Sequence, residues 1–393
     1  MRTIQKTSIA AALIVIAIGY QNCSEFKVDT SLGANMSSLG STGSAGAVLE
    51  PVTDKIDSNC ELNPAYDACI IKQSPSAQLG AALSTTAATR RSQLGNAAIY
   101  GVKLTSLSGN GKLENSTLSV QSLKATITAL TSASLKAQPM TAGSSNFEQV
   151  NTYYWMNRAA EYLDARTEGA LPAKGKGIKV IVDDTITGYE AGTNTIRLKM
   201  TDSAGAVAWN GDLAIHLFGV ANAYLANPTG WNTLSASTHQ TCNAVDKGCC
   251  TAATGCAGAI RFGIGEYFAS CLFPNRTKIG DGFNNATTSA QALPGISRDI
   301  ASAATKTAST LFTAAQGDVR SMGVLYASIW WEIRRQAGTQ SADIDRIFME
   351  HLSLLNGNDS FATAISKAKT VDSRLFSGRY SSAFDSELSK RGL

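Results

Sequence analysis

The stretch DLAIHLFGVANAYLANP, residues 212–228, decides how this chain is read. Its apolar residues recur at helical spacing. His216 and Val220 lie four residues apart on one face, beside Leu213, Leu217 and Tyr224. A helix that holds a metal ion between two turns needs a second donor at that spacing, and Val220 is not one. On residue types alone the stretch is an amphipathic helix with a lone core histidine.

The surrounding chain has 393 residues, enough for one large domain or two modest ones. It opens MRTIQKTSIAAALIVIAIGYQNC. Arg2 and Lys6 make a basic start, and residues 8–19 form an apolar run too short for a comfortable membrane span. This is a secretory signal layout that stops at Cys23. It resembles a bacterial lipoprotein signal, which implies that residues 1–22 are removed and that Cys23 becomes the lipidated first residue. The tetrad Gly19–Asn22 differs from the usual Leu-Ala-Gly pattern, and ordinary signal cleavage nearby is the alternative. By the same resemblance, Ser24 favours sorting to the outer membrane, facing the periplasm or the cell exterior.

Export suits the cysteines. Besides Cys23 there are Cys60, Cys69, Cys242, Cys249, Cys250, Cys256 and Cys271. Outside the cytoplasm such a set favours disulfides over thiolate metal sites. The count is odd, so one thiol should stay free. Cys60 and Cys69 flank a short loop and form the most obvious pair. The group from Cys242 to Cys256, with His239, matches no standard zinc-finger spacing. Of the 34 basic residues, Arg2 and Lys6 leave with the signal, so 32 face 30 acidic ones, a net of +2. No basic run or aromatic–basic stripe appears, which argues against nucleic acid as a partner.

Residues 23–89 read as a flexible Ser/Gly-rich tether carrying the Cys60/Cys69 loop. Residues 97–123, AAIYGVKLTSLSGNGKLENSTLSVQSL, alternate apolar and polar on either side of SGNG, a hairpin signal that suggests a small β-rich module over 90–146. From residue 147 the texture changes. The helix FEQVNTYYWMNRAAEYLDAR is followed by short strands at GIKVIVDD, TGYEAG and NTIRLKM, and then by a series of helices. Strands and helices in separate blocks argue an α+β domain over 147–393.

The order of these pieces resembles the thermolysin and fungalysin type of zinc metallopeptidase, the gluzincins. NTYYWMNRAAEYL is similar to the helix that opens such a domain, and GYEAGTNTIRLKM to the strands along its cleft. VAWNGDLAIHLFGVANAYLA falls where W-N-x-D-V-x-x-H-E-F-G-H would stand. AIRFGIGEYFAS falls where A-I-N-E-G-I-A-D-Y-F-A would stand. DVRSMGVLYASIWWEIRRQAG resembles the late V-H-S-N-G segment, and AFDSELSKRGL the closing one. The resemblance covers residues 148–393 and implies a short N-terminal sheet followed by a helical bundle.

It also implies which positions once carried chemistry. The first histidine ligand falls on His216. The general-base glutamate falls on Leu217, the second histidine on Val220 and the third ligand, a glutamate, on Phe262. The aspartate that orients the first histidine falls on Glu266, and the histidine that stabilises the transition state falls on Arg320. Leu217, Val220 and Phe262 should turn a polar metal pocket into an apolar plug. Glu266 is expected to pair with His216, and Arg320 is expected to be a charge partner for Glu266. The implied protein is a lipid-anchored pseudopeptidase, without catalysis or cofactor, that binds a peptide or protein in its former cleft or serves as a scaffold. The alternative is an active zinc peptidase with ligands elsewhere. Neither a G-x-S-x-G elbow, a P-loop nor a dinucleotide-binding glycine pattern is present.

One prediction belongs to the sequence alone. Mass spectrometry of the mature N-terminus should find an acylated Cys23, and a free N-terminus elsewhere would contradict it.

Overall fold

A computed structural model describes residues 55–57, 59–72, 74–84, 86–137, 145–201, 205–231, 256–273, 277–280, 298–314 and 319–393. The signal, Cys23, His239, Cys242, Cys249 and Cys250 lie outside the described residues. Two sheets and a set of long helices make the fold mixed α+β.

The first sheet joins β1 (Lys55–Ile56), β3 (Tyr100–Val102) and β2 (Ala68–Ile70) in the order β1-β3-β2, all antiparallel. The disulfide Cys60–Cys69 closes the loop leading into β2. The expected tether therefore ends earlier than residue 89, since residues from Lys55 onward already pair in a sheet. Helix α1 (Ala87–Ala97) leads into β3.

The second sheet runs β4 (Leu118–Ser122), β5 (Ile178–Asp184), β7 (Thr195–Thr201), β6 (Gly188–Glu190), with the short β8 (Gly205–Ala206) also on β7. β4 and β7 lie parallel to β5, and β6 returns antiparallel on β7. The hairpin expected across SGNG does not form. β3 and β4 go to different sheets, because the alternation in residues 97–123 reports a half-buried strand without saying which partner covers it. IKVIVDD, buried at every position but Lys179, is a strand that needs neighbours on both edges, and β4 is one of them.

The strands expected to build a module over 90–146 pair outside it, β3 with β1 and β2, and β4 with β5. Helix α2 (Asn146–Arg166) stitches these segments together. Asn151 accepts from the Ile71 N–H at 3.1 Å and donates to the Ala208 carbonyl at 2.8 Å, and the Trp155 indole donates to the Ile71 carbonyl at 2.9 Å. Gln149 accepts from the Ile127 N–H and donates to the Ala125 carbonyl. Buried amides that satisfy three separate chain segments fix the helix's position as well as its burial.

The remaining long helices are α3 (Gly211–Ala226), α4 (Ala257–Leu272), α5 (Val319–Ala337), α6 (Ser341–His351), α7 (Phe361–Phe376) and α8 (Ser381–Lys390). α4 packs along both α3 and α5, and α2 packs on α3. A Cβ on Gly323 of α5 would meet the Ala259 carbonyl of α4 at 2.9 Å, so the two backbones approach closely only because that residue is glycine. A buried network locks the distal helices together. Arg334 donates to both oxygens of Asp345 and to the Tyr162 hydroxyl, and the Tyr267 hydroxyl donates to Asp345. Cys271 is free and buried beside this network, while Cys256 is disulfide-bonded.

His351 is part of the core. It is fully buried against the Trp330 ring, with centroids 4.6 Å apart, and its Nε2 accepts from the Tyr326 hydroxyl at 3.2 Å. Burial pushes its imidazole down to about 3. The unfolded chain therefore takes up this proton at a higher pH than the folded one, and the protein loses stability as pH falls from about 6.5 towards 3. Denaturant unfolding across that window should show stability declining by up to about 1.4 kcal/mol per pH unit from this residue. His351→Gln should flatten the decline, and an unchanged slope would contradict the burial argument.

Candidate functional site

The residues singled out on α3, α4 and α5 meet in one place. His216, Leu217, Val220, Phe262 and Arg320 all line a cavity of about 390 Å³, together with Leu213, Val207 and the β6 segment from Ile186 to Glu190. They come from elements over a hundred residues apart, so the convergence is a tertiary result. α3 supplies His216, Leu217 and Val220 from one face, α4 supplies Phe262, and the first turn of α5 supplies Arg320.

Glu266 sits behind the cavity with no solvent exposure, and its Oε1 is 3.1 Å from His216 Nδ1. The expected carboxylate–imidazole pair is thus formed. Gly265 permits it, because a Cβ there would meet His216 Nδ1 at 2.5 Å. Nε2 of His216 makes no hydrogen bond to the described residues, leaving it for the cavity that the side chain lines.

The cation that answers Glu266 is Arg298, which corrects the expectation for Arg320. Arg298 Nε donates to Glu266 Oε1 at 2.9 Å, Nη2 donates to the same oxygen, and Nη2 also lies 3.2 Å from His216 Nδ1. A neutral imidazole can donate Nδ1–H to the carboxylate or accept from the guanidinium, but cannot do both. Arg298 is delivered by a short pairing of two segments that flank a long insertion. The Ile279 N–H donates to the Arg298 carbonyl at 3.0 Å, and Lys278 bridges Asp299. Asp299 then caps the next helical turn, accepting from the N–H groups of Ala301 and Ser302. No periodicity or motif in the sequence marks this arginine.

The electrostatics follow from burial and these partners. Burial would raise the Glu266 carboxyl, but Arg298 and His216 outweigh it and hold it below the ordinary value. Burial pushes the His216 imidazole down, against the upward pull of Glu266, so it is neutral near pH 7. Asp212, in the first turn of α3, accepts from the N–H groups of Gly280 and Leu213, and burial pushes its carboxyl up to about 7.

The apolar replacements do not plug the pocket. Leu217 and Val220 are buried, but Phe262 is only partly so, and the Arg298 guanidinium lies 5.1 Å from its ring centroid. Both Phe262 and Arg298 line the cavity, which stays open beside them. Across the cavity, Arg197 pairs with Asp184 at 2.8 Å and Glu190 at 3.0 Å. β6 ends the sheet, so one edge of its backbone is unpaired by any described strand. On α4 itself, Arg261 is fully buried over the Tyr224 ring, and its Nε and Nη2 find no hydrogen-bond partner among the described residues.

Among the described residues no three His, Cys, Asp or Glu side chains stand close enough to share a metal ion. No protein-family model matches the chain, and no curated protein matches it.

The Arg298–Glu266 pair makes a direct prediction. Arg298→Gln strands a buried carboxylate and should cost about 3–5 kcal/mol of stability by denaturant unfolding. Adding Glu266→Gln should restore most of that loss. A double variant as unstable as the single one would contradict the pairing.

Proposed function

We propose that this chain is an exported, lipid-anchored pseudopeptidase with a thermolysin- or fungalysin-like domain, which binds a peptide or protein segment in its cleft without cleaving it. The observation that carries the proposal is the convergence of His216, Leu217, Val220, Phe262 and Arg320 on one cavity, with Glu266 against His216. These positions were singled out from the resemblance alone, and helices that packed differently would have scattered them.

The residue types at those positions argue against the parent chemistry. Catalytic zinc takes about three protein ligands and a water. His216 offers one nitrogen, Leu217, Val220 and Phe262 offer none, and three guanidiniums, those of Arg197, Arg298 and Arg320, line the same cavity. These groups do not fit a divalent cation, so no metal-activated water is available as a nucleophile and no carboxylate stands where a general base would. Binding is a different matter. An open cavity with apolar walls beside a strand edge that no described strand pairs suits an extended polypeptide, whose backbone can pair with β6.

The purified protein should carry far less than one zinc per chain by elemental analysis and show no chelator-sensitive cleavage of an unfolded protein substrate. Stoichiometric zinc together with proteolysis abolished by His216→Ala would overturn the proposal.

A further inference from the structure

Arg261 stands on α4 with no exposure to water, and its Nη1 donates to the Tyr224 hydroxyl in the last turn of α3. Among the described residues Nε and Nη2 have no hydrogen-bond partner. Burial pushes the guanidinium down from its ordinary value, and no carboxylate offsets that. An arginine does not shed its proton inside a protein, so the charge stays and is costly without an anion. With Nη1 spent on Tyr224, the free edge is the one formed by Nε and Nη2. That edge is the one that receives two oxygens side by side.

The start of α4 adds a second set of unanswered donors. Cys256 gives no side-chain cap, and no acidic residue stands in the first turn. Ala257 and Ala259 are buried, and the N–H groups of Ala257, Gly258 and Ala259 make no hydrogen bond to the described residues. Side chains on a helix lean towards its N-terminus, which carries the Arg261 guanidinium back towards that turn. A buried, uncapped helix start and a free guanidinium edge both favour an anion.

The absence of exposure limits the ligand. An anion held there is enclosed by protein, so it is a small free ion and not part of a polymer. One guanidinium with a helix end balances one negative charge, and a second would itself be buried unpaired. Two adjacent N–H donors select two oxygens on one atom over a spherical halide. We infer that Arg261 and the first turn of α4 enclose one small monovalent oxyanion, of the formate, acetate or bicarbonate class. Arg261 does not line the cleft, so this site is independent of peptide binding there.

Equilibrium dialysis of the purified full chain against radiolabelled formate, with chloride in large excess throughout, tests the site. The folded chain should take up formate saturably, to about one per chain. Arg261→Met removes the charge and keeps the bulk, and it should abolish the uptake. Arg261→Lys keeps the charge without the two-donor edge and should weaken binding about tenfold, as expected for losing one charge-assisted contact. Circular dichroism checks that both variants fold. No saturable uptake by the unaltered chain would overturn the inference, whatever the variants do. Uptake unchanged in folded Arg261→Met would overturn it as well, by placing the formate elsewhere.

Discussion

A carboxylate with no access to water keeps its charge only when a cation stands against it. Glu266 is such a group, and Arg298 is that cation. Around this one pair the cleft is arranged. Glu266 fixes the His216 ring, Arg298 lies over Phe262, and the loop that carries Arg298 also brings Gly280 onto Asp212 at the start of α3. Breaking the pair would release the imidazole, the ring and the loop together. In the peptidases that the sequence resembles, a zinc ion is the positive charge of the site. On the proposed reading this chain keeps the carboxylate and the first imidazole and supplies the positive charge as guanidinium.

Much of the architecture was legible because it is periodic. Residues 147–166, 212–226 and 319–337 repeat apolar positions at helical spacing, and helices stand there. IKVIVDD and TIRLKM read as strands and are strands. What failed was partnership. The alternation on either side of SGNG is real, yet Tyr100–Val102 and Leu118–Ser122 pair with strands distant in sequence. Local pattern tells which face is buried and not which neighbour buries it. The tether was overextended for a related reason: residues 55–89 are polar and short of periodicity, and a disulfide and two short strands order part of them.

The site was legible position by position and misread in shape. Three apolar residues where ligands would stand suggested a filled pocket. Filling depends on the volume left by neighbours, and the decisive neighbour, Arg298, lies 82 residues from His216 with no motif to announce it. Its identity as the partner of Glu266, in place of Arg320, emerges only once Ile279 and Arg298 pair across the insertion. A close backbone contact such as Gly265 on His216 is likewise invisible to composition, although a glycine in a helix interior is costly enough to signal that something presses there.

The central claim is that a protein-borne cation has taken over the electrostatic role of a metal at this cleft. Crystals grown with excess zinc and measured at the zinc absorption edge test it most directly. The account predicts no anomalous peak at His216 Nε2 and clear density for the Arg298 guanidinium against Glu266. A strong peak within bonding distance of His216 Nε2, with Arg298 displaced from Glu266, would contradict it.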